Sequence, residues 1–168
     1  MIDLYNEISA TVKATLYLPE DQHLEIIPIV RGGSTRSFYR VSFGQDRTGI
    51  VFMHYCHDHR ENAYYAAQTV FMQRIGVQAP QLLYHDADRG FILMEDLGEL
   101  DLWHYRQDVW EKRRRYYLKT LDMILKLHAL SPENPRLADL PLMEAFDLNL
   151  YRWERNYFLE NFVRAVCG

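Results

Sequence analysis

The apolar run Phe91-Ile92-Leu93-Met94, which stops abruptly at Glu95-Asp96-Leu97-Gly98, constrains this chain more than any other stretch. Four consecutive apolar residues fit a strand buried on both faces. Two carboxylates, a leucine and a glycine fit a chain leaving a sheet through an extended polar connection. On these residues alone the stretch is either a core strand ending in a surface turn or a seam between two lobes, where ligands tend to bind. The pattern before it is that of a small sheet with helices, and the pattern after it is almost wholly helical.

Upstream of the seam, Ile2, Tyr5, Ile8, Val12 and Leu16 recur at three-to-four spacing and predict a helix over 2–18. Residues 24–30 read as a strand, with Pro28 pointing to an edge position because it cannot donate to a ladder. Residues 37–43 and 50–55 read as two more strands, and tight connections make the three an antiparallel meander. A helical period returns over 60–75, ended by Gly76, and 81–85 supplies a fourth strand before the seam strand. Downstream, a short helix is predicted at 101–105. A long one follows at 109–130, with Tyr117, Leu121, Ile124, Leu125 and His128 on its inner face, and a last one at 143–166. The fold class is therefore α+β, with a sheet-bearing unit over 1–95 and a helical unit beginning at 96 and running to 168.

At 168 residues the chain can bury a core without staples. Its 48% apolar and 25% charged residues match a soluble globular protein. A net charge of -4 argues against a general nucleic-acid binder, and the one basic run, Lys112-Arg113-Arg114-Arg115, reads as a solvated helix face. No apolar run approaches the roughly 20 residues that span a bilayer. The cysteines, Cys56 and Cys167, lack metal-ligand spacing, so a reduced, cytoplasmic setting is expected. His54, Cys56, His57, Asp58 and His59 cluster in sequence, but strand alternation sends 54 and 56 to one face and 57 to the other, which argues against a shared metal. His128 reads as a hydrogen-bonded core histidine.

Residues Gly32-Gly33-Ser34-Thr35 fall between two strands. Such a loop is either a plain hairpin turn or a phosphate cradle, since glycine admits close backbone approach and the Ser34 and Thr35 hydroxyls can donate to phosphate oxygens. It is not a dinucleotide fingerprint or a Walker-type loop, because no Gly-Lys-Ser/Thr occurs and a strand follows instead of a helix.

The order of these stretches carries a family resemblance. Gly32-Gly33-Ser34-Thr35-Arg36-Ser37-Phe38-Tyr39-Arg40, Ile50-Val51-Phe52-Met53, Gly76-Val77-Gln78-Ala79-Pro80, the seam from Gly90 to Gly98, and Leu125-Lys126-Leu127-His128 follow one another as in protein-kinase-like folds. The chain resembles the aminoglycoside phosphotransferase and choline-kinase-like branch, and within it the bacterial kinases that phosphorylate N-acetylmuramate or N-acetylglucosamine at the anomeric position. The resemblance implies a kinase N-lobe with a five-stranded antiparallel sheet. It implies ATP as the bound nucleotide, with Gly32, Gly33, Ser34 and Thr35 over its phosphates. It also implies that backbone groups of Glu95 and Leu97 hold the adenine edge, with Leu93 and Met94 walling the pocket. A small hydroxylated substrate, an amino sugar, is the expected second partner.

The departures matter as much. Protein kinases place a lysine in the third strand, whereas this chain has Met53 there and no lysine over 48–60. Arg60 is one candidate substitute, and Glu61 could take the role of the helix glutamate or serve only the helix dipole. The family's His-x-Asp loop with its later asparagine is absent after Gly98, and Asp147 lacks the preceding histidine. The expectation is thus an amino-terminal portion of a roughly double-length kinase, inactive by itself, with magnesium belonging to the full-length enzyme only. A competing expectation is a non-catalytic interaction module that self-associates through an exposed patch of Tyr151, Trp153, Tyr157, Phe158 and Phe162.

Overall fold

The computed structural model describes residues 3–30, 35–44, 48–131, 133–143 and 145–167. The first helix, α1 (Leu4–Leu16), starts at Asp3, whose carboxylate accepts from the Tyr5 N–H at 3.2 Å. It ends where Tyr17 turns left-handed at φ 54° and the Leu18 N–H returns to the Lys13 carbonyl at 3.0 Å. Five strands follow in one sheet: β1 (Glu25–Ile29), β2 (Ser37–Phe43), β3 (Thr48–His54), β4 (Leu82–Asp86) and β5 (Phe91–Glu95). Their spatial order is β1-β2-β3-β5-β4, every neighbouring pair is antiparallel, and Pro28 does sit on an edge strand. Between β3 and β4 a 3-10 turn (Arg60–Tyr64) leads into α2 (Tyr65–Arg74), so only the second part of the predicted helix over 60–75 is α-helical.

Alternation along the strands divides the core in two. Phe91 and Leu93 of β5, with Ile50 and Phe52 of β3 and Val41 of β2, pack beneath Ile8 and Val12 of α1. Ile92 and Met94, with Met53 and Tyr55, pack on the other face against Ala66 of α2. The seam strand is buried on both faces because a helix covers each side of the sheet at its centre. Gly90 sets where that strand begins. Its φ of +66° is left-handed, its carbonyl accepts from the Tyr55 N–H at 2.9 Å, and a Cβ there would meet the Tyr55 oxygen at 2.2 Å.

The helical stretch departs from expectation in three ways. The predicted helix at 101–105 is a run of i to i+3 turns, with both the His104 N–H and its Nδ1 turned onto the Asp101 carboxylate in place of a continuing helix. Helix α3 (Trp110–His128) forms as expected but buries none of its side chains. Its predicted inner face, including Tyr117, Leu121 and Leu125, is exposed, and so is His128. No described element lies across that face. The last helix begins later than expected, at α4 (Leu148–Phe158). Asp147 supplies its N-cap by accepting from the Leu150 N–H at 2.8 Å, and the chain continues in π-helical turns over Leu159–Cys167. No described helix is long and apolar enough to cross a membrane.

Candidate functional site

A cleft of about 440 Å³ opens where the sheet hands over to the helical stretch. Ile27, Ile29 and Val30 line one side, Val51 of β3 and Met94 of β5 form the floor, and Pro80 with residues Glu95 to Glu99 closes the other side. Strand alternation explains the grouping. Ile27 pairs with Arg40, Arg40 with Val51, and Val51 with Met94, so four neighbouring strands project one residue each to the same face. Met94 is held in place by the Tyr65 hydroxyl, which donates to its sulfur at 3.4 Å; burial pushes the Tyr65 phenol upward from its ordinary value.

The connection leaving β5 is shaped by polar contacts. Glu95 is held twice by Gln81: its N–H donates to the Gln81 carbonyl at 2.8 Å and its carboxylate accepts from the Gln81 N–H at 3.1 Å. Asp96 accepts from Arg40 Nε at 2.5 Å and Nη2 at 3.1 Å, and from the Gly98 N–H at 2.8 Å. The same guanidinium donates to the Gly98 carbonyl at 3.2 Å and through Nη1 to Glu99. The Arg40 bond chiefly, and the Gly98 N–H after it, hold the Asp96 carboxyl below its ordinary value against an opposing effect of burial; Arg40 is raised in turn. The N–H of Leu97 has no hydrogen-bond acceptor among the described residues, and its side chain is 67% exposed.

Of the residues singled out in the sequence, Met94, Glu95 and Leu97 come together in this cleft. Leu93 does not: it faces the α1 side of the sheet and is fully buried there, because neighbouring strand residues point to opposite faces. Gly32, Gly33 and Ser34 lie outside the described residues. Thr35 is described away from the cleft, near the start of α2, where its hydroxyl accepts from the buried Asn62 amide at 3.4 Å. Asn62 also donates to the Cys56 carbonyl at 3.1 Å.

Met53 is fully buried among Tyr55, Ile92 and Ala66, so no charge stands at that point of β3. Arg60 is exposed and its guanidinium lies 5.9 Å from the Tyr64 ring, while Glu61 faces His59 at 3.7 Å. Arg36, just before β2, has its guanidinium 5.9 Å from the Tyr65 ring, the same side chain that holds Met94. The histidines between 54 and 59 point apart: His54 packs on Phe91, His57 bonds the Ala87 carbonyl at 2.7 Å, and His59 faces Glu61. Among the described residues no group of three or more His, Cys, Asp or Glu side chains could hold a metal.

A larger cavity, about 890 Å³, lies beside α2 and is lined chiefly by Ala63, Ala66, Ala67, Val70 and Phe71. Size favours that one, but the seam cleft combines apolar walls with a main-chain donor left open and carboxylates fixed in position. Arg40 was given no role of its own in the sequence, yet the alternation of β2 already puts it on one face with Phe38. A scan of protein-family models and a search of curated proteins find no match to this chain.

Proposed function

We propose that the seam cleft binds the base and ribose of an adenine nucleotide, and that the chain is the nucleotide-holding lobe of an ATP-dependent phosphotransferase acting on a small hydroxylated substrate, an amino sugar by its resemblance. The observation that carries this reading is the cleft itself: a slot walled by Ile29, Val51 and Met94 that opens onto the extended segment bearing the Leu97 N–H. A flat heteroaromatic ring suits such a slot, with its faces on aliphatic side chains and its edge on a main-chain donor. The five-stranded antiparallel sheet with a helix between β3 and β4 supports this reading, since the resemblance to a kinase-like N-lobe implies both.

Charge gives the ligand a direction. Asp96 and Glu99 pair with Arg40, the one cation among the described residues lining the cleft, and Glu95 lines the same end, an excess of carboxylates that repels a phosphate. The phosphates then extend the other way, past Ile29 toward Thr35 and Arg36, across the connection between the register partners Ile29 and Phe38. No residue after Gly98 stands in a His-x-Asp context, so the chemistry of transfer is assigned to none of the described residues.

Calorimetric titration of the chain with ATP tests this. Heat of binding is expected, together with a thermal stabilisation of about 2.7 kcal/mol at a hundredfold excess over Kd, and both are expected to weaken in Leu97→Pro, which removes the N–H. An absence of both heat and thermal shift overturns the reading.

A second reading, self-association as a non-catalytic module, is favoured by one observation. Helices α3 and α4 bury no side chain, and Trp153 on Tyr157 and Phe158 on Phe162 form stacked, exposed pairs at ring separations of 5.3 Å. Light scattering over a concentration series reads it out, and a monomer at every concentration excludes it.

A further inference from the structure

The segment that closes the cleft has almost no packing of its own. Leu97 and Leu100 are each about two-thirds exposed, at 67% and 65%, and Gly98 has a left-handed φ of +86° with nothing within 4 Å of where a Cβ would be. Yet three parts of the chain far apart in sequence meet around Asp96. Arg40 reaches it from β2 with a two-point fork and extends to Gly98 and Glu99, so one guanidinium grips three of the four residues from 96 to 99. Gly49 of β3 lies under the carboxylate, where a Cβ would stand 3.0 Å from Asp96 Oδ2. A side chain at 49 would press on the carboxylate where the fork holds it, and Asp96 would have to give by a few tenths of an ångström.

We infer that Arg40 is the positioning residue of the cleft: its fork on Asp96, seated over Gly49, fixes the shape of the segment 96–99 and so the place of the Leu97 N–H. Burial cannot do this for so exposed a segment, and planar two-point bonding supplies direction that a point charge lacks. A lysine at position 40 keeps the charge and loses the fork. A Cβ at position 49 keeps both partners and moves one of them. The cleft's affinity for its ligand then depends on the fraction of molecules with the segment in place. The ligand part of this inference rests on the adenine-nucleotide reading above; the positioning of the segment does not.

The test uses the 168-residue chain with the variants Arg40→Lys, Arg40→Met and Gly49→Val. Two readouts are taken on each: hydrogen exchange of the Gly98 amide by NMR without ligand, with the Arg40 Nε–H followed as well where Arg40 is present, and the Kd for ATP. In the wild type both protons are expected to be protected. Gly98 protection is expected to fall in all three single variants, with ATP Kd rising about tenfold if the segment is in place a tenth of the time. The amides of β3 and β5 are expected to keep their protection in the three variants, which a general loss of stability does not allow. Unchanged Gly98 protection in Arg40→Met and Gly49→Val overturns the inference. If the wild type shows no ATP binding while the variants lose Gly98 protection, the nucleotide reading falls and the positioning role of Arg40 stands.

Discussion

The sheet and the helical stretch after it are built from equally apolar sequence, yet they use it differently. In β3 and β5 the central side chains are buried, Ile50, Phe52, Phe91 and Leu93 against α1 and Met53, Ile92 and Met94 on the α2 side, and Phe52 and Leu93 have no exposed surface. In α3 and α4 no side chain is fully buried, and most are exposed. The helical stretch is tied to the sheet unit by polar contacts. Lys126 donates to the Gly76 carbonyl at the end of α2, and the Gln68 side chain donates to the Pro141 carbonyl at 3.0 Å. The contrast shows that regular backbone and a packed core are separate achievements. Helices α3 and α4 close their hydrogen bonds locally, aided by the Asp147 cap and the Lys112–Asp108 pair at 2.8 Å. The sheet exists only through partners distant in sequence.

Thermal or denaturant unfolding measures how deep that contrast goes. The largest effect is expected for Phe52→Ala, which empties the centre of the α1-side core and is expected to cost about 3–5 kcal/mol. A loss under 1 kcal/mol would mean that the sheet unit is not the stable half.

A smaller effect is expected at the junction of the two regions, and it depends on pH. Asp96 sits below its ordinary carboxyl value because of Arg40 and the Gly98 N–H. Its contribution is therefore present above about pH 3.9, the unfolded value, and is lost as pH falls through the lower folded value. Acid titration followed at Gly98 is expected to release the segment after 95 while the sheet signals persist, and Arg40→Met is expected to flatten that dependence. Identical acid profiles for the two proteins would separate Asp96 from the hinge.

The smallest effect is expected for Leu125→Ala on α3. This side chain is 64% exposed, and the change is expected to stay within about 0.5 kcal/mol for the monomer. A larger loss would reveal that the face is covered in solution and would erase the difference between the regions.

Much of the sheet unit was legible in the residues. Periodicity located α1 and all five strands, Pro28 marked an edge, and the run from Phe91 to Met94 announced a strand buried on both sides. Within the site, Met94, Glu95 and Leu97 were found as neighbours because they are neighbours in sequence. Leu93 was misplaced because a continuous apolar run hides which residues share a face, and only the helix above each face resolves it. Arg40 was missed because its partners Asp96, Gly98 and Glu99 lie more than fifty residues away. The inner face expected for α3 failed for a related reason: an amphipathic period says which side could be buried, not whether anything covers it.

By itself the sequence determined the local steps, namely where strands begin and end, which turns need glycine and where the apolar run stops, since these follow from side-chain spacing and backbone preference along a few residues. Tertiary structure alone decided that the stretch after Glu95 is a clamped segment and not a free turn. That outcome needed Arg40 from one strand, Gly49 from another and Asp96 from the seam at a single point, and an ion pair between distant residues is fixed by strand register, which no local pattern encodes.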